Sequence, residues 1–271
     1  MKFSFRVIPA ILIAVIVFSV SCKKTDTAVA PVKNGNTDIS KQIALELYRS
    51  LRGSVNNGKT LKANANQGGG KTVTTTQECG MVFTTFTDST GVKGDTTRKY
   101  VGKRIFTNQC NGAFSNNWNV DAYLLADTLK TTEKGTGFSN VYDVTLNYDV
   151  RALNTHYSEI SINGVTTTSS YKSKVSGAFT TEYHKMETVY SLLKITAFNN
   201  SANPLYKSGR VYFNTKTADM NIGTDAKVNT NAYNGYMEFY ANNTMRSYFD
   251  LKNGSYKVFE MDLITGEVKA L

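Results

Sequence analysis

The sequence has few of the residues that most enzyme active sites use. It contains two histidines, three cysteines and one tryptophan in 271 residues, and Asp, Glu, Lys and Arg together make up only 19%. His156 and His184 show no metal-ligand spacing such as His-Glu-x-x-His, and the chain has no Gly-x-Ser-x-Gly turn that would present a nucleophile. These counts do not exclude a Ser/His/Asp triad, because its members need not be close in sequence. We expect no metal and no cofactor, and we favour a function that is not enzymatic.

Proline is also scarce. Three prolines exclude a collagen-like chain and Pro-rich linkers. The polar residues are instead mostly uncharged, with 34 Thr and 26 Asn, and the aromatic residues are mostly 16 Tyr and 14 Phe. Thr, Tyr and Phe favour strands, and Asn favours turns. With 41% apolar residues to form a core, this composition predicts an all-β protein.

The N-terminus carries the features of an export signal. Lys2 and Arg6 precede an apolar run of 14 residues from Val7 to Val20, which ends at Ser21-Cys22. A membrane-spanning helix needs about 20 apolar residues, whereas a run of this length suits the core of a signal peptide.

The residues around Cys22 indicate how the chain is anchored. A small residue directly before a cysteine, at the end of such a run, resembles the lipobox of bacterial lipoproteins, and the Ser-Cys-Lys-Lys ending resembles outer-membrane lipoproteins of Bacteroidota. This resemblance implies a signal peptide over 1–21 and a Cys22 that carries acyl chains such as palmitate in the outer membrane. Ser19 stands where the family usually has an aliphatic residue, so ordinary secretory cleavage after Ser21 is the alternative. In that group, export to the cell surface is associated with an acidic stretch directly after the cysteine. Here Lys23-Lys24 stands in that place, which favours a domain that faces the periplasm.

The net charge points to no nucleic-acid partner. Residues 1–21 hold two basic and no acidic residues, so the remainder has 31 − 2 = 29 basic and 21 acidic residues, a net charge of +8. The basic residues are scattered rather than clustered, and an envelope protein does not meet nucleic acid. The partner that we expect is the membrane, reached through the lipid anchor.

The rest of the chain divides by composition. Residues 22–37 are polar and predict a flexible tether, and residues 53–71 predict a Gly/Asn-rich linker. Between them, residues 38–52 predict an amphipathic helix, because apolar residues recur every fourth position on one stripe. These residues are Ile39, Ile43, Leu47 and Leu51. We expect the stripe to dock on the main domain, with a partner-binding helix as the alternative.

Residues 72–271 predict one antiparallel β domain. Apolar and polar residues alternate, and turn residues separate the runs. Asn163-Gly164 and Asn253-Gly254 predict two-residue hairpin turns. Weaker turn signals stand at Asn199-Asn200, Asn242-Asn243 and Thr265-Gly266. The pattern favours a meander of about a dozen strands. Adjacent apolar pairs such as Leu124-Leu125, Leu192-Leu193 and Tyr212-Phe213 suggest burial from both sides, as in a sheet curled into a sandwich or a flattened barrel.

Two cysteines remain after Cys22, and the envelope is oxidising, so we predict a disulfide between Cys79 and Cys110. In a hairpin, paired residue numbers have a constant sum, which is 79 + 110 = 189 here. Phe83 is then predicted opposite Phe106, on the same face as the bridge. A redox or metal role is the alternative, but no Cys-x-x-Cys is present.

Three functions are compatible with these features. The first is a lipid-anchored envelope lipoprotein with a non-enzymatic binding or scaffold domain, whose ligand is a glycan, a lipid or an envelope protein. The second is a carrier of a lipid or other apolar ligand in a curved β cavity, as in lipocalins and lipoprotein carriers. The third is a glycan-binding module with stacking tyrosines and Trp118, or a glycosidase that uses two carboxylates. The candidate carboxylates are Glu159, Glu182, Glu187 and Glu238.

Overall fold

The computed structural model describes residues 39, 41–48, 79–110, 120–198, 206–221 and 225–271. Cys22, Leu51, Trp118, Asn199-Asn200, the signal peptide, the tether and the linker lie outside these residues. The described residues contain one short helix, α1, at 39 and 41–48, followed by eleven strands. The strands are β1 Val82–Lys93, β2 Thr96–Gln109, β3 Ala122–Gly135, β4 Phe138–Ala152, β5 Glu159–Ser176, β6 Phe179–Phe198, β7 Tyr206–Asn221, β8 Asp225–Tyr240, β9 Thr244–Asp250, β10 Tyr256–Asp262 and β11 Val268–Ala270.

These strands form one antiparallel sheet in sequence order, with β1 and β11 at its two edges. The predicted all-β meander with one short helix is therefore confirmed. The sheet is single and does not close into a barrel, since β1 and β11 do not pair. No helix among the described residues has the length and apolar character to cross a membrane.

Burial alternates along the strands and defines two faces. On β7, Val211, Phe213 and Thr215 are buried, whereas Tyr212 and Asn214 between them are exposed. We call the buried side, which α1 covers, the inner face, and the opposite side the outer face. The expectation of burial from both sides is wrong for the adjacent apolar pairs, because one member of each is exposed on the outer face. Those members are Leu124, Leu193 and Tyr212.

Helix α1 packs on the inner face of the central strands. Its Ile43 and Leu47 are fully buried in the same apolar cluster as the strand residues. The hydroxyl of Tyr190 on β6 donates to the backbone carbonyl of Ile43 at 2.8 Å. The hydroxyl of Thr168 on β5 donates to Glu46 Oε2 at 3.0 Å. The docking expected from the apolar stripe is thus what the structure shows.

Three of the predicted turns are found between strands, and one is not. Asn242-Asn243, Asn253-Gly254 and Thr265-Gly266 lie in the connections that follow β8, β9 and β10. The hairpin predicted at Asn163-Gly164 is wrong, because both residues lie inside β5, at a register shift against β6. A Cβ at Gly164 would lie 2.0 Å from the carbonyl oxygen of Asn147 on β4. The glycine therefore permits close approach of a neighbouring strand and marks a bulge rather than a turn.

A disulfide closes the base of the β1–β2 hairpin. Cys79 and Cys110 are bonded, with 5.6 Å between their Cα atoms. Phe83 pairs with Phe106, and Thr84 pairs with Ile105, as the predicted register requires. Only Gly94 and Asp95 separate the two strands.

Candidate binding surface

The predicted site residues that the structure describes are spread over the sheet, except that Glu182 and His184 line the same groove. His156 lies in the connection between β4 and β5 and is exposed. His184 lies in β6, and its Nδ1 is 2.5 Å from Asp219 Oδ1 on β7. His184 and Asp219 line an open groove of about 450 Å³. Among the described residues, no group hydrogen bonds the buried Nε2 of His184, so a hydroxyl to complete a Ser/His/Asp arrangement is not present there.

The four strand glutamates named as candidate carboxylates each bind a cation, which lies on the same strand, on the next strand or, for Glu159, two strands away. Glu159 is 2.8 Å from Lys207, and Glu182 is 2.7 Å from Lys174. Glu187 pairs with Lys185 at 2.7 Å. Glu238 pairs with Arg210 at 2.5 Å. Each of these four glutamates is thus held in its own ion pair. Among the described residues, no group of three or more His, Cys, Asp or Glu is placed to hold a metal ion.

Four tyrosines from four consecutive strands meet on the outer face. They are Tyr212 on β7, Tyr236 on β8, Tyr248 on β9 and Tyr256 on β10, and we call them the tyrosine surface. Tyr212 pairs directly with Tyr236, which pairs directly with Tyr248. Tyr256 pairs with Asp250 and so lies diagonally to Tyr248. Antiparallel pairing with two-residue periodicity is what brings side chains so distant in sequence onto one face.

The rings of the tyrosine surface are in contact with one another. Tyr236 stacks on Tyr248, with 4.5 Å between ring centroids and 13° between planes. Tyr256 meets Tyr236 edge to face at 5.6 Å, and Tyr212 lies 6.2 Å from Tyr236. Tyr212 and Tyr256 are the most exposed members, at 43% and 49%. Tyr236 and Tyr248 therefore form the centre of the tyrosine surface. Tyr212 and Tyr256 lie beside them, each with a large part of its side chain exposed to solvent.

A shallow groove of about 360 Å³ runs between the two exposed tyrosines. Besides the aromatic rings it is lined by Asn214, Asn234, Ser191 and Asp250. The amide of Asn214 donates to Oδ1 of Asn234 at 2.6 Å. The Oδ1 acceptor of Asn214 and the Nδ2 donor of Asn234 are not used in this bond and can face a ligand.

Ion pairs hold the charges that border the tyrosine surface. The Arg210 guanidinium lies 4.7 Å from the Tyr236 ring centroid and also binds Glu238. Tyr240 donates its hydroxyl to Glu238 at 2.9 Å. Burial disfavours ionisation of Glu238, but the hydrogen bonds from Arg210 and Tyr240 outweigh it and lower the pKa of this carboxyl. Partial burial, helped by the charge of Glu238, raises the pKa of Tyr236, so this tyrosine is neutral at physiological pH.

A second network extends the same border. Glu260 on β10 accepts from Arg246 at 2.9 Å and from Lys269 at 2.8 Å. These two cations lower the pKa of Glu260, Lys269 having the larger effect. The Arg246 guanidinium lies 5.2 Å from the Tyr240 ring. Charges next to the tyrosine surface are thus largely neutralised by one another.

The fold and this surface define an open, single-sheet all-β domain with one covered face and one aromatic face. No protein-family model, curated protein or solved structure gives a significant match to the chain.

Proposed function

We propose that the protein is a lipid-anchored cell-envelope lipoprotein whose β domain is a non-enzymatic binding module for a neutral glycan. The observation that carries the proposal is the tyrosine surface, a solvent-facing set of four rings beside a groove with amide, hydroxyl and carboxylate groups. The inner face carries the apolar core and α1, so we expect a large partner at the outer face.

The chemistry of the groove suits a sugar chain. The faces of Tyr212 and Tyr256 offer apolar area for the C–H faces of pyranose rings, and their hydroxyls reach water or ligand hydroxyls. Asn214, Asn234 and Asp250 add hydrogen-bonding groups of both polarities, as a polyhydroxylated ligand requires. Because the bordering arginines are already paired with glutamates, a neutral chain fits this groove better than a polyanion.

The surface is also built to bind without rearranging. Tyr236 is held between the Arg210 guanidinium and the Tyr248 ring, so its side chain loses little freedom when a ligand arrives. Tyrosines of this kind provide a large contact area at a low cost in conformational entropy. A preformed aromatic groove favours a binding role over a purely structural one.

Affinity electrophoresis tests the proposal. The protein is run in native gels that contain soluble β-glucan, mannan or xylan, beside the double variant Tyr212→Ala, Tyr256→Ala. We expect at least one polysaccharide to retard the parent protein, and the variant to migrate as in a gel without polysaccharide. The matched control is Tyr171→Ala, Tyr183→Ala, which removes another stacked pair from the outer face and should leave the retardation unchanged. Equal retardation of parent and Tyr212→Ala, Tyr256→Ala protein would contradict the proposal.

The anchor places this module at the membrane. The lipid on Cys22 and the tether over 22–37 would let the β domain reach a glycan while it stays at the outer membrane. Lys23-Lys24 favours the periplasmic side, so the proposed ligand is a glycan accessible there.

A further inference from the structure

A separate apolar cavity lies on the inner face, where the start of α1 meets β8, β9 and β10. It has a volume of about 210 Å³, and its apolar wall is formed by Ile39 of α1 with Tyr233, Phe249, Leu251 and Phe259. Phe249 and Phe259 are buried, and their rings meet edge to face with 5.6 Å between centroids. An apolar cavity of about 150 Å³ already accommodates benzene, so this one has room for a medium-length alkyl chain.

Two lysines also line this cavity. Lys257 lies on β10, with its Nζ 5.1 Å from the centroid of the Phe259 ring. Lys252 lies in the β9–β10 connection and has a left-handed backbone, with φ of 63°. Its N–H donates to Asp250 Oδ1 at 2.7 Å. A non-glycine residue in this region is uncommon and costs free energy, so the turn holds Lys252 in a defined position beside the cavity.

These lysines differ from others on the sheet in their partners. Lys174, Lys207 and Lys269 each bind a glutamate at 2.7–2.8 Å. Neither Lys252 nor Lys257 has a carboxylate within ion-pair distance among the described residues. In the part of the chain that the structure describes, the other ionisable groups that line the cavity are the Tyr233 phenol and the exposed Asp250 carboxylate.

We propose that this cavity binds a single-chain anionic amphiphile, such as a fatty acid, with its alkyl chain against the phenylalanines and its carboxylate between Lys252 and Lys257. The apolar wall accounts for the chain, and the two lysines without acidic partners account for the charge of the head group. Charge-assisted hydrogen bonds from ammonium groups to a carboxylate are among the stronger polar contacts in proteins. The cavity shares Asp250 with the groove of the proposed glycan site. It uses none of the four tyrosines, so the two proposals are tested by different variants.

Isothermal titration calorimetry of the full chain carrying Cys22→Ser, which removes the acylation site, tests the head-group assignment. The probes are decanoate, decanol and decyltrimethylammonium, which share a chain and differ in charge. We expect decanoate to bind about tenfold more tightly than decanol, and the cation to bind most weakly. In the Lys252→Gln, Lys257→Gln variant, decanoate should fall to the affinity of decanol, with decanol itself unchanged.

Two further variants locate the site. Lys130→Gln, Lys134→Gln removes the same charge from β3, away from the cavity, and should keep the preference for decanoate. Leu251→Trp fills the cavity mouth and should weaken decanoate and decanol together. Equal affinity for decanoate and decanol in the parent protein, no decanoate binding, or an equal loss in the β3 control would each overturn the proposal.

Discussion

At the scale of single residues, Gly235 shows how the backbone supports the tyrosine surface. It lies on β8 between Asn234 and Tyr236, at a point where the neighbouring strand comes very close. A Cβ at this position would lie 1.9 Å from the carbonyl oxygen of Tyr248 and 2.9 Å from the Phe213 ring. The absence of a side chain is therefore what lets β8 and β9 approach beneath the stacked rings of Tyr236 and Tyr248.

Gly235→Ala should therefore destabilise the protein and weaken polysaccharide binding. The added methyl group forces backbone and ring shifts, and overpacking of this kind costs about 1–3 kcal/mol. Urea unfolding at neutral pH measures the loss. Gly91→Ala is the matched control, because a Cβ at Gly91 on β1 would meet nothing within 4 Å, and its effect should stay within about 0.5 kcal/mol. Equal effects of the two substitutions would contradict the close-approach argument.

The carboxylates beside the tyrosines predict that the free energy of unfolding depends on pH. The pKa values of Glu238 and Glu260 are both lowered from an ordinary value of 4.5. A carboxyl whose pKa is lower in the folded state stabilises the fold above its unfolded pKa, and this contribution is lost as the pH falls through the folded pKa. The parent protein should therefore lose more unfolding free energy between about pH 6 and about pH 3 than Glu238→Gln, Glu260→Gln does. Urea unfolding at the two pH values makes the comparison, and identical losses would show that these ion pairs do not contribute.

At the scale of elements, α1 depends on the sheet. A helix of this length is marginal in water by itself, and here it buries Ile43 and Leu47 and accepts a hydrogen bond from Tyr190. Because the same inner face also carries the cavity, docking of α1 at Ile39 contributes one wall of the proposed amphiphile site.

Leu47→Asp should undock α1 or place an unpaired charge in the core. Either outcome costs roughly 2–5 kcal/mol and lowers the midpoint of thermal unfolding. Lys41→Asp is the control, since Lys41 is exposed on the same helix, and it should leave the midpoint close to that of the parent. An unchanged midpoint for Leu47→Asp would mean that the β domain does not need the helix.

Local signals predicted most elements, whereas long-range pairing had to come from the structure. The cysteine pair fixed the β1–β2 register, because a disulfide and a hairpin constrain the same residues. Asn163-Gly164 misled because a turn-type dipeptide also suits a bulge, and the sequence does not say which neighbour approaches. The length of the loop at Asn242-Asn243 sets the β8–β9 register. With that length known, the sequence would have placed Tyr236 opposite Tyr248. Tyr212 could not be assigned to this surface, because nothing local sets the β7–β8 register.

At the scale of the whole molecule, the sheet separates the two proposed binding sites. The inner face holds the core, α1 and the apolar cavity, and the outer face presents the tyrosine surface. An open sheet keeps both faces accessible at different places. A lipid anchor at the N-terminus would add attachment without using either face.

The anchor itself is tested by metabolic labelling with a fatty-acid analogue. Cys22→Ala should abolish the label, because the lipobox cysteine is the proposed acylation site. The double variant Cys79→Ala, Cys110→Ala, which lacks the disulfide but keeps Cys22, should still be labelled. Label that persists in Cys22→Ala, or an unlabelled parent protein, would remove the lipoprotein assignment and leave ordinary secretion.

The central claim is that the tyrosine surface is the glycan-binding face, and one crossed titration tests it most directly. The polysaccharide that retards the parent protein, and decanoate, are each titrated against Tyr212→Ala, Tyr256→Ala and against Lys252→Gln, Lys257→Gln. The tyrosine variant should lose the polysaccharide and keep decanoate, and the lysine variant should do the reverse. Polysaccharide affinity that survives in the tyrosine variant at the parent's value would contradict the account.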